Sequence, residues 1–264
     1  AACAQSTTTS NTNATTNNAT TSTKANQTSH FTEKDYDTSY DESTASKIEL
    51  AGSSANVSGD GVTVSGSTVT ITKSGTYVIS GQSDGVQIKV EADKSADVHL
   101  VLKGVTMTNT NAAISATSAG HVYLTLAEGT TNSLSDSSSN SDEKADAALF
   151  SKVDLTINGK GTLNVEGKKN NGIKANDTLH ISGGTYNITA VGDAFNVNDE
   201  LNITGTAGDD GIHASGDLVI DSGTYTVKNS TEGLEGKSIT INGGDITIYS
   251  TDDGVNAANK NAQQ

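Results

Sequence analysis

The sequence predicts an all-β chain, a right-handed parallel β-helix with three strands per coil, and three observations carry that prediction. One short phrase recurs after residue 170: Asn171-Gly172-Ile173-Lys174-Ala175, Asp193-Ala194-Phe195-Asn196-Val197, Asp210-Gly211-Ile212-His213-Ala214, Glu232-Gly233-Leu234-Glu235-Gly236 and Asp253-Gly254-Val255-Asn256-Ala257, spaced by 22, 17, 22 and 21 residues. A period of about 20 residues with one strand-like phrase per copy marks a solenoid, in which equal repeat positions stack above one another. The second observation is period-two alternation, as in Val98, Leu100 and Leu102 or Val122, Leu124 and Leu126, which gives a strand one apolar face. The third is composition. The chain has no proline, no tryptophan, 27 glycines and 33% apolar residues. That is thin for a layered domain but enough for coils that each need a narrow inward stripe.

Taken in order, residues 1–3 read Ala1-Ala2-Cys3. Small residues before a near-terminal cysteine resemble the end of a bacterial lipoprotein signal, where Cys3 is lipidated; a stray free thiol is the plain alternative. Cys3 is the sole cysteine, so no internal disulfide forms. Residues 4–45 are expected to be a disordered tether, because their Ser/Thr/Asn-rich start cannot offset the entropy of ordering. Within it, residues 31–45 carry acids, Tyr36 and Tyr40, and are expected to dock on the first coil. Residues 46–258 form the β-helix and 259–264 a tail.

Each coil of the C-terminal half holds three short strands. The first carries pairs such as Ile173 and Ala175 or Phe195 and Val197. The second carries Leu155 and Ile157, Leu179 and Ile181, Leu201 and Ile203, Leu218 and Ile220, Ile239 and Ile241. The third carries Tyr186 and Ile188, Tyr225 and Val227, Ile246 and Ile248. Glycines such as Gly183-Gly184 and Gly243-Gly244 mark the corners. Parallel crossovers wind right-handed by default. The short coil between Phe195 and Ile212 is expected to lack its third strand. Ser133 to Ala147, rich in Ser and Asp, is expected to be a flexible corner loop.

Stacking the phrase puts Asn171, Asp193, Asp210, Glu232 and Asp253 in one outward column, and Lys174, Asn196, His213, Glu235 and Asn256 in a second, with Asp209 and Asp252 beside the first. Neighbouring carboxylates one strand spacing apart repel by about 0.8 kcal/mol in water-like surroundings and about 3 kcal/mol at an effective dielectric of about 20. A cation relieves that cost. Oxygen donors in flexible turns suit Ca²⁺; a lone His213 with no nearby cysteine does not suit zinc. The expected calcium ligands are Asp193, Asn196, Asp209, Asp210, Glu232, Glu235, Asp252 and Asp253. A solvated acidic face is the alternative.

Net charge is −15 and all 16 basic residues are lysine, which excludes a basic nucleic-acid surface. No apolar run reaches the roughly 20 residues of a membrane span, so membrane association is expected only through the lipid on Cys3. Tyr186 and Tyr225 fall on inward positions. Tyr123 and Tyr249 fall on outward ones, where a ring can stack on a sugar; with His213 they are the candidate carbohydrate contacts. Lys174 and Lys237 lie near the acids and are either charge-balancing residues or, in a lyase, general bases.

The phrases Asp209-Asp210-Gly211-Ile212-His213-Ala214 and Glu232-Gly233-Leu234-Glu235-Gly236-Lys237, with Leu149-Phe150-Ser151-Lys152-Val153-Asp154-Leu155-Thr156-Ile157-Asn158-Gly159, resemble a family of secreted or lipid-anchored bacterial carbohydrate-binding proteins. These are similar in fold to the calcium-dependent pectate lyases of polysaccharide lyase family 9. The resemblance spans roughly residues 46–258. It implies a right-handed parallel β-helix, calcium held at Asp193, Asp210, Glu232, Glu235 and Asp253, and binding of plant-type polysaccharide such as cellulose or polygalacturonate. The expected protein is a monomeric, extracellular, lipid-anchored polysaccharide binder of the cell surface. The alternatives are a calcium-dependent lyase acting by β-elimination and a structural surface adhesin.

Overall fold

In the computed structural model, residues 30–198, 201–207, 212–230, 233–243, 245–250 and 253–257 are described. The expected all-β class holds. Among these residues one four-residue helix, Glu33–Tyr36, precedes a single 22-stranded sheet. Two pairings at the start are antiparallel, Ser46–Gly52 with Ser54–Ser58 and Val62–Ser65 with Thr68–Ile71. The other pairings are parallel.

These parallel pairings fall into three ladders. The first links Ile71, Val90, Ala116, Ser151, Ala175, Val197, Ala214, Gly236 and Ala257 in succession. The second links Ile79, Leu102, Leu126 and Gly159, and on the same strands Leu155, Leu179, Leu201, Leu218 and Ile239. The third links Met107, Leu134, Val165 and Ile188. Register is held because side chains alternate faces, so a one-residue slip would expose every inward residue. The inward Ile88, Leu124, Ile157, Val165 and Phe195, drawn from all three ladders, join one buried cluster. Tyr186 belongs to it, as its position predicts, with its hydroxyl donating to the Gly183 carbonyl at 2.6 Å. The side chain of Tyr225 lies outside the described residues.

Two expectations are corrected. The short repeat keeps a stub of its third strand: Thr206 pairs with Thr185 and with Thr224, and Ala207 with Tyr225. The segment after Ser135 is not a loose loop. Asp136 and Asn140 are buried; Asp136 accepts from the Lys168 amide at 2.6 Å and Asn140 donates to Asp136 at 3.1 Å and to the Ala145 carbonyl at 3.1 Å. The segment thereby covers Phe150, whose outward ring packs on Ala112 and Ala145. Residues 31–45 reach the first repeat as expected, Tyr40 and Ala45 packing against the cluster of Val78, Val101 and Ala127, and the arm also extends along the second ladder to Thr156 and Asn158 further on. Cys3, the remainder of the tether and the tail lie outside the described residues.

Candidate functional site

The outward face of the second ladder carries a column of polar residues: His99, Tyr123, Thr156 and His180 are in register, and Val101, Thr125 and Asn158 form the column beside it. The arm 30–45 covers both. Asp35, at 2% exposure, accepts from the Thr32 amide at 2.7 Å, the Thr32 hydroxyl at 2.8 Å and Thr156 Oγ1 at 2.6 Å. His121 Nε2 is 2.8 Å from Thr156 Oγ1. The threonine hydroxyl has one proton, given to Asp35, so the imidazole supplies the other. A second relay runs beside it: His99 Nε2 to Thr125 Oγ1 at 2.7 Å, Thr125 to Asn158 Oδ1 at 2.6 Å, and Asn158 Nδ2 to the carbonyls of Asp35 and Asp37 at 3.2 and 3.0 Å. Ser182 Oγ also donates to the Asp35 carbonyl.

Burial sets the electrostatics of this region. Desolvation pushes the His121 imidazole down to about 4 against the pull of Asp35 and Asp97, and lowers His99 likewise. For Asp35, burial raises the carboxyl, but hydrogen bonds from Thr156 and Thr32 and the nearby His180 leave it below its ordinary value. Tyr123 shows where the sequence expectation fails. It is on the outward face, but it is 9% exposed, stacked on His121 with centroids 4.1 Å apart and roofed by Lys34 Nζ at 5.0 Å. Desolvation, with Asp97, Asp35 and Asp154 nearby, pushes its phenol up to about 12. It is a packing residue of the arm and not an open platform. Tyr249 is open, at 62% exposure.

The acidic column is on the first ladder. Its register places Lys174, Asn196, His213, Glu235 and Asn256 as successive neighbours, as the spacing predicts. Asp193 is stacked against Asn171, its amide donating to Asn171 Oδ1 at 3.2 Å. Asn196 Nδ2 donates to Asp193 Oδ2 at 2.6 Å. His213 Nδ1 is 3.6 Å from Asp193 Oδ2 and 3.3 Å from Glu235 Oε2. Two carboxylates from alternate repeats therefore converge on one point. The Asp253 backbone continues the column, its carbonyl accepting from Gly233 at 3.0 Å, with an exposed side chain. Asp209, Asp210, Glu232 and Asp252 lie outside the described residues. Among the described residues no three His, Cys, Asp or Glu side chains form a ready metal cage.

Lys174 closes the N-terminal end of this column. Its Nζ donates to Asp146 Oδ1 at 2.5 Å, and Asn170 Nδ2 donates to Asp146 Oδ2 at 2.7 Å. Burial raises the Asp146 carboxyl, but these hydrogen bonds and the lysine charge hold it lower overall. Lys237 is exposed. The sequence reading missed Asp146 because it precedes Ala147, which pairs with Asn171, and so sits one residue out of the aligned column. It missed Asp35 because nothing in a repeat pattern reports a contact 121 residues away.

Comparison with known proteins fits this arrangement. A family model described as carbohydrate-binding domain-containing protein matches residues 65–209 and 201–264, and the chain belongs to that family. A carbohydrate-binding domain-containing protein of Acetivibrio thermocellus is 39% identical over 125 residues, covering 45% of this chain and 44% of the relative; the chain thus spans under half the length of that relative. The solved structure of the polysaccharide lyase-like protein from C. thermocellum, a gadolinium derivative, superposes with a TM-score of 0.68 at 29% identity, over 81% of this chain and 100% of that one.

Proposed function

We propose that this chain is a calcium-dependent polysaccharide-binding protein of the cell surface, built as a right-handed parallel β-helix. For the fold, the support is three parallel ladders that recur together and send their inward residues to one core, with the right-handed default for such crossovers. For the function, one observation carries the reading: Asp193 and Glu235, from alternate repeats, meet at His213.

Carboxylate and amide oxygens from Asp193, Asn196 and Glu235 are the hard donors that calcium takes, and Asp209, Asp210, Glu232, Asp252 and Asp253 are proposed to complete the set. A bound ion supplies the positive charge against which a uronate carboxylate docks on a chain of net charge −15. Asn196, donating to Asp193, orients that carboxylate, and the His213 ring lies between it and Glu235. Polygalacturonate-like or cellulose-like glycans are the proposed ligands, Tyr249 a proposed stacking contact, and Cys3 the proposed lipid anchor of a monomer. A β-elimination chemistry is less well supported, since Lys174 gives its ammonium to Asp146 and offers no base while that pair stands.

Calcium titration tests this directly. Calcium at about a hundredfold excess over Kd should stabilise the fold by about 2.7 kcal/mol in thermal or urea unfolding, and should strengthen binding to polygalacturonate. Asp193→Asn with Glu235→Gln should erase both increments. Calcium that changes neither unfolding nor binding would sink the proposal.

A further inference from the structure

A cleft of about 790 Å³ lies between the arm and the edge of the second ladder, away from the acidic column. One wall is Tyr36, Thr38 and Tyr40 of the arm; the other is three stacked corners, Ala127–Thr130, Gly159–Lys160 and Gly183–Thr185. Its size falls within the about 300–1,000 Å³ usual for ligand sites. The corners are built to approach closely. Gly159 and Gly184 have φ of +98° and +104°, and a Cβ on Gly159 would run into the Leu126 carbonyl of the repeat before. The glycines keep the floor low, and their main chains are the ladder neighbours that step it at about 4.8 Å per repeat.

The arm wall is held rigidly. Asn158 pins the carbonyls of Asp35 and Asp37, and Asp37 accepts from the Ser39 amide and hydroxyl at 2.9 and 2.6 Å. Tyr40 leans on Val78, Val101 and Ala127. Tyr36 is 53% exposed while its ring lies tilted against Phe31, centroids 5.6 Å apart. The lining beyond these tyrosines includes Thr130, Thr185, Lys160 and Lys103. Lys103 donates to Glu42 at 2.6 Å, while Lys160 is only loosely paired with Glu128, at 3.6 Å between two exposed side chains.

We infer that this cleft is a second glycan site, binding a pyranose oligosaccharide without a metal: Tyr36 stacks on a ring face, the threonines bond ring hydroxyls, and Lys160, whose exposed pair with Glu128 is long at 3.6 Å, donates to a ring hydroxyl or to a uronate carboxylate where one is present. The inference rests on the carbohydrate-binding reading above but not on calcium. A pre-formed aromatic wall and a stepped polar floor suit a repeating polar ring better than a compact metabolite.

The experiment is calorimetry or tyrosine-ring NMR on the full chain in EDTA, with a cello-oligosaccharide and an oligogalacturonide as separate probes. The expected result is EDTA-resistant binding of at least one probe, weakened roughly ten-fold by Tyr36→Ala, the size of one aromatic contact. Lys160→Glu, at a solvent-exposed position, should weaken the oligogalacturonide selectively and leave folding intact. Metal-independent binding that neither substitution changes would overturn the cleft while leaving the family reading standing. Binding seen only with calcium would overturn it in favour of the acidic column. No binding of either probe, with or without calcium, would overturn both.

Discussion

Two outward columns of the same sheet treat charge differently. On the second ladder, His99, His121, Tyr123, Thr156 and His180 are roofed by the arm, and a carboxylate from outside the repeats, Asp35, accepts from Thr156, which in turn meets His121. On the first ladder, Asp193, His213 and Glu235 stand half-buried with each other as partners. Parallel stacking repeats whatever residue occupies a position, so it concentrates like groups. A column then needs a cover that brings complementary groups, or an ion. The arm is the first solution, and the 136–146 segment is a smaller copy of it, covering Phe150 and delivering Asp146 to Lys174. From Asp193 onward the described column carries no such cover, which is why the ion is proposed there.

The largest test of this contrast is Asp35→Ala. It leaves the buried Thr156 hydroxyl, with His121 behind it, without its carboxylate acceptor, and removes the cap on Thr32. A cost of about 3–5 kcal/mol is expected, as for removing one partner of a buried charged network. Urea unfolding gives the loss, and limited proteolysis within residues 30–45 should accelerate in parallel. Asp35→Asn keeps the shape and should cost less. An Asp35→Ala protein as stable as the parent would mean that the arm rests on the ladder without holding it.

Acid should also separate the two columns. His121 is held neutral, with a folded value of about 4 against an unfolded value of about 6.5. Between these the unfolded chain binds a proton that the folded one refuses, so stability rises with pH across the window. The contribution is complete above about pH 6.5 and is lost as pH falls to about 4, on the order of 3 kcal/mol. His99, lowered by the same desolvation, adds in the same direction. Asp35, with a depressed value, contributes stability above the ordinary carboxylate range and loses it at lower pH still. Unfolding midpoints measured from pH 7.5 down to 4.5 should fall, and His121→Asn should flatten the curve. A flat profile in the parent would contradict a buried neutral imidazole.

What the sequence made legible follows from what repetition encodes. Period and alternation are local, so the phrase beginning at Asn171 placed the neighbours Lys174, Asn196, His213, Glu235 and Asn256 in the order the ladder has. Inward Tyr186 followed from the same alternation. Covers are not periodic. Alternation puts Tyr123 and Phe150 outward with equal clarity, and nothing local says that Lys34 roofs one and Ala145 the other. At 31–45 the two tyrosines did point to docking on the first repeat, but composition gave no sign of the partners further on, Thr156 and Asn158. Composition misled in the Ser/Asp segment after Ser135: Asp136 and Asn140 read as solvent-seeking, but they fold back to satisfy main-chain amides.

The smallest effect sharpens the comparison most at the boundary between covered and uncovered column. Lys174 and Asp146 are both about 15% exposed, with side-chain values of 16% and 15%, between a surface pair and a buried one. Lys174→Met keeps the length of the stem and removes the charge. The loss should be about 1–2 kcal/mol, above the median for exposed pairs and below that for buried ones. Asp146 then loses the hydrogen bond and charge that hold its carboxyl down, and the column gains an unopposed carboxylate at its head. Calcium affinity, read by titration against the unfolding midpoint, should therefore rise while stability without calcium falls. A general-base role predicts a different pattern: loss of unsaturated-product absorbance on polygalacturonate with calcium affinity unchanged. The two measurements made on one variant separate a lysine that caps a charged column from one that abstracts a proton.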